Sequence, residues 1–123
     1  MPELPEVETI VQGLSSRIID KTIIAIKSTY PQIVRDDFNE FKKNVIDKTI
    51  VNISRHGKYL FLHLNNKTIV VVHLRMTGQI FVTDKDSVID KHTHLDLFFA
   101  DSEQKVIYRD IRKFGRFELI HSN

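Results

Sequence analysis

A chain of 123 residues with 41% hydrophobic and 28% charged side chains has the size and make-up of one globular domain, long enough to bury a real core and too short for two comfortable ones. No apolar run approaches the roughly 20 residues of a membrane span; the first twenty residues lack the basic-then-apolar pattern of a secretory signal; and with no cysteine, neither disulfides nor thiolate metal sites are available. One domain, no membrane partner and a cytoplasmic setting are therefore expected, and a net charge of +2 is too small by itself to announce a nucleic-acid partner.

Val7, Ile10, Val11, Leu14 and Ile18 recur at helical spacing behind Pro5 and Glu6, which suit a first turn, so the pattern predicts a helix over 5–18. After Lys21 the periodicity changes. "TIIAIKSTY", "TIVNISRHG", "KYLFLHL", "TIVVVHL", "QIFV", "HLDLFFA", "KVIYRDI" and "RFELI" are short, β-branched and often alternating, and read as strands. Asn65-Asn66-Lys67 and Asp101-Ser102-Glu103-Gln104 are turn sequences between neighbouring strands. Only "DDFNEFKKNVI", with Phe38, Phe41 and Val45 at i, i+3 and i+7, predicts a second helix, and the polar "TDKDSVIDKHT" predicts an exposed loop. The expected fold is α+β and mainly β: a two-layer sandwich of about eight strands flanked by two helices.

Four stretches could carry chemistry. "MPELPEVETI" places proline after the initiator methionine; once Met1 is removed, Pro2 offers a secondary α-amine that titrates near pH 8 and condenses with aldehydic carbons to a cationic iminium. Glu3 and Glu6 could then move protons or steady that cation, although the same residues also make an ordinary stiffened helix start. "SRHGKYLFLHL" presents Lys58 behind Gly57 at the start of a rigid strand, where it could meet a phosphate or equally be the exposed lysine of a plain hairpin. "HLRMTGQI" puts Met76 before a turn, as a wedge for unstacking bases or as core filler. "YRDIRKFGRF" brings Arg112 and Phe114 together around Lys113, a cation and an aromatic fit to enter a duplex or a basic edge strand with a core phenylalanine. Between Lys105 and Arg116 five basic residues stand against the single acid Asp110, and Arg55, His56 and Lys58 form a second basic cluster. His92 and His94 lack a third ligand nearby in sequence, so no metal site is expected.

In order, "MPELPEVETI", "HGKYL", "HLRMTG", "KHTHLDL" and "DIRKFGRFE" resemble the formamidopyrimidine-DNA glycosylase family of base-excision repair enzymes, which also contains endonuclease VIII; the resemblance runs the whole chain and is nearer the formamidopyrimidine and 8-oxoguanine branch. It implies a bifunctional glycosylase and abasic-site lyase acting on oxidised purines in double-stranded DNA, as a monomer. Pro2 would be the nucleophile on C1′, Glu3 the acid/base for sugar ring opening, Glu6 a support, and Lys58 a contact to phosphate and lesion. Met76, Arg112 and Phe114 would fill the gap left by the flipped nucleotide, Arg112 facing the orphaned cytosine, with His73, His92 and Lys91 at the DNA backbone. The resemblance also implies that the family continues into a helix–two-turn–helix domain and a zinc finger that residues 1–123 do not include, so no cofactor is expected here and DNA binding by this catalytic N-terminal domain should be feeble. A non-catalytic DNA-binding β-domain, an inactive fragment or a plain interaction domain are the alternatives.

Overall fold

The structure is a computed structural model and describes residues 4–121. Helix α1 (Leu4–Ile18) buries Val7, Val11, Leu14 and Ile18 on one stripe, with Glu6 in its first turn and Arg17 in its last, each complementing the helix dipole. The helix ends where Asp20 adopts φ 71° and donates its amide to the Ile50 carbonyl at 2.7 Å, which docks the helix end onto a strand.

Among the described residues eight strands form two antiparallel four-stranded sheets. One sheet holds β1 (Ile23–Lys27), β6 (Thr93–Phe99), β7 (Gln104–Asp110) and β5 (Gly78–Asp84) in that spatial order. The other holds β2 (Ile50–His56), β3 (Tyr59–Leu64), β4 (Thr68–His73) and β8 (Arg116–His121). Alternate residues such as Leu60, Leu62, Val70, Val72, Leu95, Leu97, Val106 and Tyr108 fill the layer between the sheets. Helix α2 (Phe38–Val45) starts at Asp37, whose carboxylate accepts from the Glu40 amide, and buries Phe41 and Val45 with Phe41 edge-on to Phe117. Two helices, eight strands and two layers are the architecture the pattern predicted.

Two local details differ. The stretch "TIIAIKSTY" stops being a strand at Lys27, because hydroxyls take over the pairing: Ser28 Oγ donates to the His94 carbonyl at 2.5 Å and Thr29 Oγ1 to the Thr93 carbonyl at 3.0 Å. A 3-10 turn at Pro31–Ile33 follows, and residues 34–36 then cover the β8 edge, with the Arg35 amide donating to the Phe117 carbonyl and the Asp36 carboxylate accepting from the Leu119 amide. The segment expected as a solvent-exposed loop is shorter, 85–92, and its Ser87 carbonyl covers a buried ion pair between Lys105 and Asp96 at 3.0 Å.

Candidate nucleic-acid interface

Antiparallel pairing decides which loops meet. In one sheet His56 pairs Tyr59, Tyr59 pairs His73 and His73 pairs Arg116; in the other Gly78 pairs Asp110 and Thr93 pairs Arg109. The β2–β3 turn with Lys58, the β4–β5 loop with Met76, the approach to β6 with Lys91 and His92, and the β7–β8 connection with Arg112 and Phe114 therefore all lie at one end of the sandwich. Lysines and arginines dominate that end, so its field favours a polyanion.

Each tip has a local cause. Gly57 has φ 63° as the first residue of the two-residue β2–β3 turn, a conformation that costs glycine nothing and places Lys58 next, partly exposed. Arg55 braces this turn: its Nε donates to Glu8 of α1 at 2.6 Å and its Nη1 to the Gly57 carbonyl at 3.2 Å. The first turns of α1, which carry the exposed Glu6, are thereby tied to the lysine turn. Pro2 and Glu3 lie outside the described residues. Met76 and Phe114 are 58% and 52% exposed, so both tips leave a large apolar side chain in solvent at the basic end. The Arg112 guanidinium stands 6.0 Å from the Phe114 ring, while Lys113, at φ 59°, lays its ammonium over Tyr30.

The histidines are placed differently from the tips. His73 is 9% exposed; its Nε2–H donates to Glu118 at 2.7 Å and its ring packs beside Tyr59, so it sits within the sheet face rather than projecting from it. Lys91 is exposed and His92 partly so, at the rim of the same end. His94 is buried and spends its Nε2–H on the Asp110 carbonyl at 2.7 Å, so the two neighbouring histidines do not converge. Among the described residues no group of three or more His, Asp or Glu could hold a metal.

Beneath the tips lies a residue that motif reading passed over. Asp110 is fully buried, and its carboxylate accepts from Thr77 Oγ1 at 2.5 Å, the Tyr108 hydroxyl at 2.7 Å, the Gly115 amide at 2.9 Å and the Arg112 amide at 3.1 Å. Its own amide donates to the His92 carbonyl at 2.9 Å. Burial alone would push this carboxyl up, but four donors together outweigh it and hold Asp110 below the usual carboxylate range. Burial, then the bond to Asp110, pushes Tyr108 up, so its hydroxyl stays a donor. The glycines of "MTG" and "KFG" make room for this: a Cβ on Gly115 would overlap the Tyr108 hydroxyl and come within 2.6 Å of the His73 carbonyl, and one on Gly78 would overlap the Leu74 carbonyl. The signal in the sequence was a lone acid in a basic run.

The family profile described as the formamidopyrimidine-DNA glycosylase N-terminal domain matches residues 1–117. The chain belongs to that family. It is 45% identical over 123 residues to the formamidopyrimidine-DNA glycosylase of Lactococcus lactis subsp. cremoris, covering all of this chain and 44% of the relative. The enzyme of that name from Carboxydothermus hydrogenoformans is 45% identical over 118 residues, 95% of this chain and 44% of its own. Among solved structures, the Lactococcus lactis glycosylase in complex with DNA containing an abasic site superposes with a TM-score of 0.93 at 43% identity, over 98% of this chain and 45% of that one. The complex of that glycosylase with DNA containing a formamidopyrimidine lesion gives 0.92 at 43% identity, over 98% and 44%. The chain thus spans less than half the length of the formamidopyrimidine-DNA glycosylases it matches, and the stretch it matches is the N-terminal domain, apart from the zinc finger.

Proposed function

We propose that this chain is the catalytic N-terminal domain of a DNA glycosylase and abasic-site lyase that excises oxidised purines, 8-oxoguanine and formamidopyrimidines, from double-stranded DNA. The observation that carries the reading is the convergence of Lys58, Met76, Arg112 and Phe114, from three separate loops, on one basic end of the sandwich. Extruding a nucleotide costs a few kcal/mol of stacking and pairing. Met76 and Phe114 offset part of that by occupying the vacated stack, and Arg112 offers donors to the partner base.

With Met1 removed, the Pro2 nitrogen attacks C1′ of the extruded nucleotide; the new C–N bond forms as the glycosidic bond breaks and the base leaves with a proton. Glu3 protonates the ring oxygen as the sugar opens to the iminium, with Glu6 supporting it. The iminium acidifies C2′, so elimination expels the 3′ phosphate and a second elimination the 5′ phosphate. Lys58 neutralises phosphate beside the reacting sugar, and Lys91 and His92 at the rim serve the DNA backbone, whereas His73, buried and bonded to Glu118, lies behind them. This stretch alone binds lesion duplex feebly, because in the family the opposing wall of the cleft comes from beyond the matched domain.

Intact mass together with borohydride trapping on abasic-site DNA tests this. A covalent adduct on chain lacking Met1, lost when an extra residue precedes Pro2, is the expected result. Salt-sensitive DNA binding with no adduct at high protein concentration would leave a non-catalytic DNA-binding domain.

A further inference from the structure

Two of the loops at the basic end meet on one buried side chain, and a third meets the same residue's main chain. Thr77 belongs to the loop of Met76, Arg112 and Gly115 bracket Phe114, and the His92 carbonyl belongs to the approach to β6; each is hydrogen-bonded to Asp110. The exposed tips contribute little packing to the core, and the Asp110 carboxylate is a tie that the two loops share.

We propose that Asp110 is a positioning residue: it locks the tips bearing Met76 and the Arg112–Phe114 pair at one spacing, and that spacing sets how strongly the domain prefers duplex lacking a base over intact duplex. This rests on the function proposed above. A wedge made of two tips works as one only if both arrive together, since side chains held in place before binding lose less freedom on entering the stack.

The ionised carboxylate is suited to the task because all four of its partners are donors. An amide cannot replace it. If the oxygen of an asparagine side chain at this position took the Tyr108 and Gly115 side, its NH2 would face the Arg112 amide; turned over, it would face the Gly115 amide. Hydroxyls of Thr77 and Tyr108 can rotate to accept, but a backbone amide cannot, so Asp110→Asn frees one end of the 111–115 loop in either orientation.

Two readouts on the 15N-labelled chain test this. Asp110→Asn should speed amide hydrogen exchange at Arg112 or Gly115 by about tenfold or more while Val70 and Leu97 keep their wild-type protection. The ratio of affinities for duplex carrying a tetrahydrofuran abasic analogue over intact duplex should fall roughly tenfold, the scale of one lost charge-assisted hydrogen bond. General destabilisation would lower both affinities and leave the ratio. The milder Thr77→Val should lower the ratio as well, and Thr77→Ser, which keeps the donor, should restore it. Unchanged exchange at both amides overturns the proposal, as does faster exchange with an unchanged ratio. A wild-type chain with no preference for the abasic duplex overturns the functional reading instead, while the exchange result, which needs no DNA, still decides whether Asp110 holds the loops.

Discussion

Replacing Gly115 by alanine is the sharpest test of the packing beneath the loop tips. The added Cβ would overlap the Tyr108 hydroxyl, lie 2.8 Å from Tyr108 Cζ and 2.6 Å from the His73 carbonyl, and neither neighbour can withdraw: Tyr108 is 0% exposed and His73 is held in the β4 ladder. Overpacking of this kind costs about 1–3 kcal/mol. Displacing the Tyr108 hydroxyl also removes a hydrogen bond to a buried carboxylate, worth about 1.5–3 kcal/mol. The sum, about 2.5–6 kcal/mol, is a large share of the roughly 5–15 kcal/mol that stabilises an ordinary domain. Urea unfolding followed by far-UV circular dichroism should show the midpoint falling with the slope unchanged, and the melting temperature should drop by roughly 10–20 °C. Tyr108→Phe removes the oxygen that clashes and also the hydrogen bond, so both single variants lose the same interaction. The double variant should therefore be more stable than the two single costs imply, by at least about 1 kcal/mol. A Gly115→Ala variant within about 0.5 kcal/mol of wild type, or strict additivity in the double, would refute the reasoning.

The buried pair Lys105–Asp96, each 4% exposed, predicts that Lys105→Met costs about 3–5 kcal/mol in urea by stranding a carboxylate, and that adding Asp96→Leu recovers most of it. Phe114→Ala, at an exposed tip, should change unfolding stability by less than about 0.5 kcal/mol while lowering affinity for abasic duplex in a fluorescence-anisotropy titration. Burial, with the charge of His56 adding to it, lowers the His63 pKa below its ordinary 6.5, so the proton prefers the unfolded chain. Stability is then full above pH 6.5 and declines as pH falls through the lowered value, and His63→Gln should flatten that limb of a stability–pH profile. Asp110, also lowered, acts in a separate window: its contribution holds above the usual carboxylate range near 3.8 and is lost as pH falls below it.

Where one physical rule governs a segment, the sequence was enough to place it. The 3.6-residue recurrence from Val7 to Ile18 has one buried stripe as its outcome, and alternation in "KYLFLHL" leaves Leu60, Leu62 and Leu64 inside. For Met76 and Phe114 the local sequence allowed core filler or exposed tip alike, and the fold leaves both exposed. Illegible features depend on partners far apart in the chain. Ser28 leaves the strand because the His94 carbonyl, 66 residues on, accepts its hydroxyl. Asp110 could be a surface aspartate on local grounds; what makes it central is Thr77, 33 residues away, and a cavity sized by two glycines. Arg55 reads as one more basic residue until the fold brings Glu8 beside it.

The basic end thus separates two requirements that usually conflict. Side chains proposed to enter DNA must be exposed, which denies them packing energy and leaves their positions weakly determined by the core. Here the determination comes from below: Asp110, Tyr108, Gly78 and Gly115 lie at or under the surface, where hydrogen bonds to an ionised carboxylate are strong and steric tolerances small. Mutations at the tips should accordingly alter recognition with little effect on folding, and mutations in the layer beneath should alter both. Lys58 follows a different arrangement, since its turn is held by the partly exposed Glu8–Arg55 pair, whose strength falls with salt. Raising ionic strength should therefore loosen the lysine turn before it loosens the loops anchored on Asp110.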